Sequence, residues 1–231
     1  MVSPPFRGGF RWGHTNTMNL DLSLNNILCL ITVGISIFAF SNAELRSRFL
    51  HIPYRENHNG EKYRMLSSGF IHADFTHLLF NMLTLYSFGD NVHRWFSSSD
   101  MFGSAGSVVY IIFYLVSIVA ANSASYIKHK DNISYAALGA SGATSAVIFV
   151  AILNSPMSML LVFFFPMPGF VFAIFYLFYS NYAAKRGTDN IGHDAHFYGA
   201  LFGILFVTAF RPTVLVECIQ QIIIGVQGYL N

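Results

Sequence analysis

The sequence predicts an all-α protein, a polytopic membrane bundle of six transmembrane helices, on three observations. Hydrophobic residues make up 54% of the 231 residues while Asp, Glu, Lys and Arg make up 10%, and ordinary soluble domains carry roughly 25% charge. So few charges could not cover a soluble surface. The mean hydropathy is +0.49, and 24 Phe are spread through several apolar stretches that approach bilayer length. In lipid only helices and closed barrels satisfy their own backbone, and these runs read as helices. The formal charge of +2 comes without a basic cluster interleaved with aromatics, which argues against a nucleic-acid partner. Cys29 and Cys218 are expected as unpaired buried thiols, not as a disulfide or a zinc site.

Taken in order, residues 1–26 are a polar tail rich in Gly, Pro and Asn and not a cleaved signal peptide. The six-helix membrane domain is expected over 27–212, with spans at about 27–40, 76–92, 104–122, 141–154, 169–183 and 195–210. A polar, aromatic stretch from Ser41 to Phe75 forms a long first loop. Met157–Phe165 is apolar but too short to cross, since a span needs about 20 residues, and Pro166 and Pro168 close it. It reads as an interfacial connector. After Arg211 and Pro212, residues 213–231 read as an amphipathic or apolar C-terminal helix, on the bilayer or packed on the bundle.

Polar side chains inside a membrane protein are costly and therefore informative. Three groups stand out: His72, His77 and Asn81 entering span two; Ser141 between Gly139 and Gly142 entering span four; His193 and His196 entering span six. Spans two, four and six run in the same direction, so the groups meet at one face. At about 100° per residue, His77 and Asn81 share a side, and His72 joins them only if the helix begins between it and His77. On span six His196, Gly199 and Gly203 form one side, a small-residue stripe that permits close backbone approach to span four, which offers Gly142, Ser145 and Ala146 near its own entry.

A serine beside a neutral histidine is the minimal nucleophile and base pair. His77, Asn81 and the backbone N–H of Ser141 are donors suited to an oxyanion. Asp194 points to another side of the helix from His196, so a dyad is expected rather than a triad. His193, in IGHDAH at the water interface, is expected to be solvated or bonded to a loop. No metal or cofactor is needed. Two other readings stand beside this one. Paired histidines in HADFTH and HDAH suit a histidine-box metal oxidase but leave the serine unexplained. A catalytically inactive relative would act as a binding or escort factor for membrane proteins.

The pattern of His72, His77 and Asn81, the GASG motif at 139–142 and Ala195-His196 with Gly199 and Gly203 together resemble the rhomboid family of intramembrane serine proteases. The resemblance covers about residues 27–210. It implies Ser141 as nucleophile, His196 as general base, and His77, Asn81 and the Ser141 N–H at the oxyanion, with His72 helping to position the site. It also implies single-span transmembrane substrates cut at or near the helix, an embedded first loop with Tyr63-Arg64 in place of a frequent Trp-Arg, and Phe170, Phe172 and Phe175 flanking substrate entry. The best-known members carry an aromatic four residues after the serine, under the histidine; here that residue is Ser145, which leaves the support of His196 unassigned.

Orientation draws opposite readings. Arg46, Arg48, Arg55, Lys62, Arg64, Lys128, Lys130, Lys185 and Arg186 fall on the motif face, against Arg7, Arg11, Arg94 and Arg211 on the other. The positive-inside rule puts the motif face in the cytoplasm, whereas the resemblance implies a cytoplasmic N-terminus and a site opening outward. The expected setting is a bacterial-type plasma membrane. The oligomeric state and the individual substrate are not readable.

Overall fold

The computed structural model describes residues 22–162, 164–186 and 192–230, so most of the tail placed at 1–26 lies outside the described residues. The chain runs through α1 (Leu24–Ser41), α2 (Ala43–Phe49), α3 (Pro53–His58), α4 (Arg64–Ser67), α5 (Phe75–Phe96), α6 (Gly106–His129) and α7 (Ser141–Asn154). A two-stranded hairpin, β1 (Met159–Val162) and β2 (Phe165–Pro168), precedes α8 (Gly169–Arg186), α9 (His193–Phe210) and α10 (Val214–Leu230). Every segment expected to span is therefore helical.

Among the described residues two helices can cross a membrane by length and composition, Leu24–Ser41 and Gly103–His129, and α9 with α10 adds a third if the bent pair is one span. This is fewer than the six expected. α5 is long enough at 22 residues but carries His77, Asn81, Asp90, His93 and Arg94. The 14 residues of α7 rise about 21 Å at ~1.5 Å each, short of a hydrocarbon core of about 30 Å.

Local chemistry sets the helix starts. Ser23 accepts from the Asn26 N–H at 3.1 Å to open α1, and Asp74 accepts from the His77 N–H at 2.8 Å to open α5, each oxygen satisfying a donor that the first turn leaves unpaired. The fold departs from all-α at the hairpin, where Met159 pairs with Pro168 and Val162 with Phe165. Phe164, at φ 70°, turns the chain. The connector expected there takes the form of this hairpin, in which strand pairing satisfies part of the backbone of a run too short for a spanning helix.

α7 lies at the centre, and from Gly142 to Leu153 only Ala151 is not fully buried. A helix apolar all round belongs inside, and small residues let its neighbours approach. A Cβ on Gly203 would lie 2.6 Å from the Ala146 carbonyl oxygen, and one on Gly199 would overlap the Gly142 carbonyl.

The first loop is built on Arg64, 1% exposed. Its Nη1 donates to the carbonyls of Ser47 at 2.7 Å, Arg48 at 2.7 Å and Leu50 at 3.2 Å, and its Nε donates to Glu61. These carbonyls lie at the C-terminal end of α2, where a cation is favoured. Beyond Pro212 the chain bends by 108° between α9 and α10. α10 buries Val214 and Cys218 and leaves Val216, Ile219 and Ile223 exposed, and Gln221 donates to the Asn154 carbonyl at the end of α7 at 3.4 Å. Both cysteines are free thiols.

Candidate active site

Because Asp74 starts α5 between His72 and His77, the two histidines are released from a common helix. Their rings meet edge to face at 5.0 Å. His72 is 1% exposed and uses both ring nitrogens: Nδ1 lies 2.8 Å from Ser36 Oγ, and Nε2 accepts from the Ala140 N–H at 3.3 Å. Ser36 Oγ gives its proton to the Phe70 carbonyl at 2.9 Å, so His72 donates from Nδ1 and is neutral. Burial, reinforced by His77, pushes its pKa down to about 3. His72 thus ties α1 to the residue before Ser141.

The GASG turn wraps onto His77. Gly139 has φ 118°, which a side chain rarely adopts, and donates to the Ser68 carbonyl at 2.9 Å. A Cβ there would stand 2.6 Å from His77 Cε1. Ser141 is the first residue of α7, where backbone N–H groups lack partners within the helix and carry the positive end of its dipole. Asn81, 5% exposed, donates to the His77 carbonyl at 2.9 Å, and its Oδ1 accepts from Thr144 Oγ1 at 3.1 Å. Thr144 therefore joins α5 to α7 and orients the Asn81 amide.

α9 brings the third group. The Gly142–Gly199 and Ala146–Gly203 contacts seat α9 on α7, and a Cβ on Gly142 would stand 3.3 Å from the Ala195 carbonyl oxygen. Ser141, His196, His77 and Asn81 all line one cavity of about 890 Å³, together with Gly139, Gly142 and Tyr176. His72 is not among its lining residues and stands behind the turn. Asp194 bonds to Lys128 at 3.1 Å.

His193 is not solvated: it is 4% exposed, with Tyr179 at 5.6 Å and His196 at 5.9 Å between ring centroids. α9 begins at His193, so the first turn is already packed against α8. Sequence reasoning also missed Thr144 and Tyr176. Tyr176 of α8 bonds through its hydroxyl to Ser145 Oγ, and its ring lies 6.2 Å from that of His196 at 27°. No local spacing signals a contact between separate helices, and the sole clue was the missing aromatic at Ser145. Among the described residues no three His, Cys, Asp or Glu side chains gather as a metal-ligating group.

A family model described as Rhomboid domain matches residues 59–213. The chain is 30% identical over 201 residues to RHOMBOID-like protein 12, mitochondrial, of Arabidopsis thaliana, covering 84% of this chain and 60% of the relative. It is 27% identical over 189 residues to Rhomboid protein 1, mitochondrial, of Saccharomyces cerevisiae, covering 79% and 52%. Over 85 residues, 37% of each chain, it is 33% identical to a Bacillus subtilis protein whose name provisionally makes it a rhomboid protease. The alignments thus span about half to three-fifths of the length of the first two relatives.

Proposed function

This chain belongs to the rhomboid family, a family of helical multi-pass membrane proteins, and from that premise we propose that it is an intramembrane serine endopeptidase working through a Ser141–His196 dyad. The observation that carries this reading is the shared cavity: Ser141 at the head of α7 and His196 in the first turn of α9 open into one space with His77 and Asn81.

In the proposed reaction Ser141 Oγ attacks the scissile carbonyl carbon while the His196 imidazole takes the hydroxyl proton. The negative charge on the former carbonyl oxygen faces the Ser141 N–H and the side chains of His77 and Asn81. The C–N bond then breaks, His196 returns its proton to the leaving amine, and an acyl ester remains on Ser141. Water attacks that ester with His196 again as base, releasing the acid and restoring the serine.

We further propose that α1, α5, α6, α7, α8 and α9 each cross the bilayer, giving a membrane domain over 27–212. α7 is shorter than the bilayer core, so with Asn154 at the far interface Ser141 lies roughly 9 Å below the near one. The cavity supplies the water that hydrolysis needs at that depth. The substrates are single-span proteins with small or helix-breaking residues near the cut, since a helical peptide bond must unwind before a serine can reach its carbonyl. The enzyme is proposed to work in a mitochondrial or bacterial membrane, a reading supported by two relatives named as mitochondrial and one from Bacillus subtilis.

The test is cleavage of a transmembrane-segment reporter by purified protein in detergent. Ser141→Ala and His196→Ala should each lower kcat by about 10³-fold or more, chelator should have no effect, and a fluorophosphonate should label wild type but not Ser141→Ala. A folded wild type that neither cleaves nor labels would overturn the assignment.

A further inference from the structure

A general base must be oriented by a third group, and Asp194, the nearest acid in the sequence, is engaged with Lys128. The residue four after the serine, Ser145, offers no ring. The space beside the imidazole is instead approached from α8, where the ring of Tyr176 lies 6.2 Å from that of His196 at an interplanar angle of 27°, within the range of an offset stack. Tyr176 is itself fixed. Its ring packs between Phe149 at 5.5 Å and Phe172 at 5.3 Å. Ser145 Oγ gives its proton to the Ser141 carbonyl at 2.7 Å, so the bond between Ser145 and Tyr176 runs from the tyrosine hydroxyl to the serine oxygen.

We propose that Tyr176 is the positioning residue for His196: its ring backs the imidazole, and its hydroxyl, held by Ser145, fixes that ring to the helix that carries Ser141. Ring and tether come from different helices. Ser145 therefore keeps the role of its position by holding an aromatic in place of being one. α8 buries only Gly169 and Ser180 fully, and Tyr176 is where this helix meets the ring of His196, so displacement of α8 from α7 withdraws the support. The inference rests on the assignment of Ser141 and His196 as the dyad.

The test uses the full chain in detergent with the same reporter. Tyr176→Leu should lower kcat by about 10²-fold, the scale of a misplaced catalytic group, with KM within about twofold. Tyr176→Phe keeps the ring and should lose only about threefold; Ser145→Ala should lose the same, and the double variant no more than either alone, since both remove one bond. Exchanging the two side chains, Tyr176→Ser with Ser145→Tyr, should recover at least about tenfold over Tyr176→Ser. A Tyr176→Leu variant with unchanged kcat, or with raised KM alone, overturns the inference and makes Tyr176 a substrate contact. If Tyr176→Leu does not fold, additive losses for Tyr176→Phe and Ser145→Ala overturn it. A wild type that neither cleaves nor labels removes both readings together, whereas a cleaving wild type with an indifferent Tyr176 removes this one alone.

Discussion

His72 shows how a single side chain can be committed to one protonation state. With Nδ1 donating to Ser36 and Nε2 accepting from Ala140, a second proton would cost the Ala140 N–H its acceptor. The folded value of about 3 lies below the ~6.5 of a free imidazole, so the unfolded chain binds the proton more readily. The contribution of His72 is present in full above about pH 6.5 and is lost progressively as pH falls towards 3. The melting temperature in detergent should therefore decline between pH 7 and pH 4, and His72→Gln should flatten that decline; parallel curves would refute the account. At this scale the gathering of Ser141, His196, His77 and Asn81 around one cavity was legible, because they are polar side chains in largely apolar segments, where such residues are rare. Tyr176 was not legible. An aromatic in an apolar helix reads as core or lipid contact, and its link to Ser145 spans 31 positions that no periodicity connects.

Among the elements, the α7–α9 crossing is the most exacting. Gly199→Ala would drive a methyl group into the Gly142 carbonyl, and the backbone cannot rotate away as a side chain can. Overpacking of this kind costs about 1–3 kcal/mol, so the variant should melt lower and cleave the reporter less. Gly34→Ala in α1 meets nothing within 4 Å, and should be neutral or stabilising by up to about 1 kcal/mol, because alanine is the better helix former. Equal effects of the two changes on melting would contradict the packing. The bounds of α7 were readable because Gly139 and Ser155 end its apolar run. α6 was read too short, to about 122, because its last two turns are polar. They persist because Asn122 donates to the Met65 carbonyl at 2.8 Å and Ser125 meets His51 at 2.9 Å, partners supplied by a first loop whose own helices the sequence did not show.

For the whole molecule, the proposed six crossings would place the first loop and the chain ends on opposite sides of the bilayer. An impermeant thiol reagent should reach a cysteine introduced at exposed Asn59 from one side, and a tag added after Asn231 should be accessible only from the other. Detection of both from the same side would break the six-span reading, whichever membrane the protein occupies. The α7–α9 contact also carries a consequence for how such a site can change. Gly199 rests on Gly142 and Gly203 on Ala146, a repeat of four residues on both helices with backbone touching backbone. Sliding one helix by a single residue would bring a Cβ against a carbonyl, and a slide of four residues, about 6 Å, would set Ala195 or Val207 where a glycine now sits. The register of the two helices is in effect fixed. Fine adjustment of the proposed dyad must then fall to rotamers and to the residues around it, which vary in small steps while the crossing itself can only be kept or abandoned.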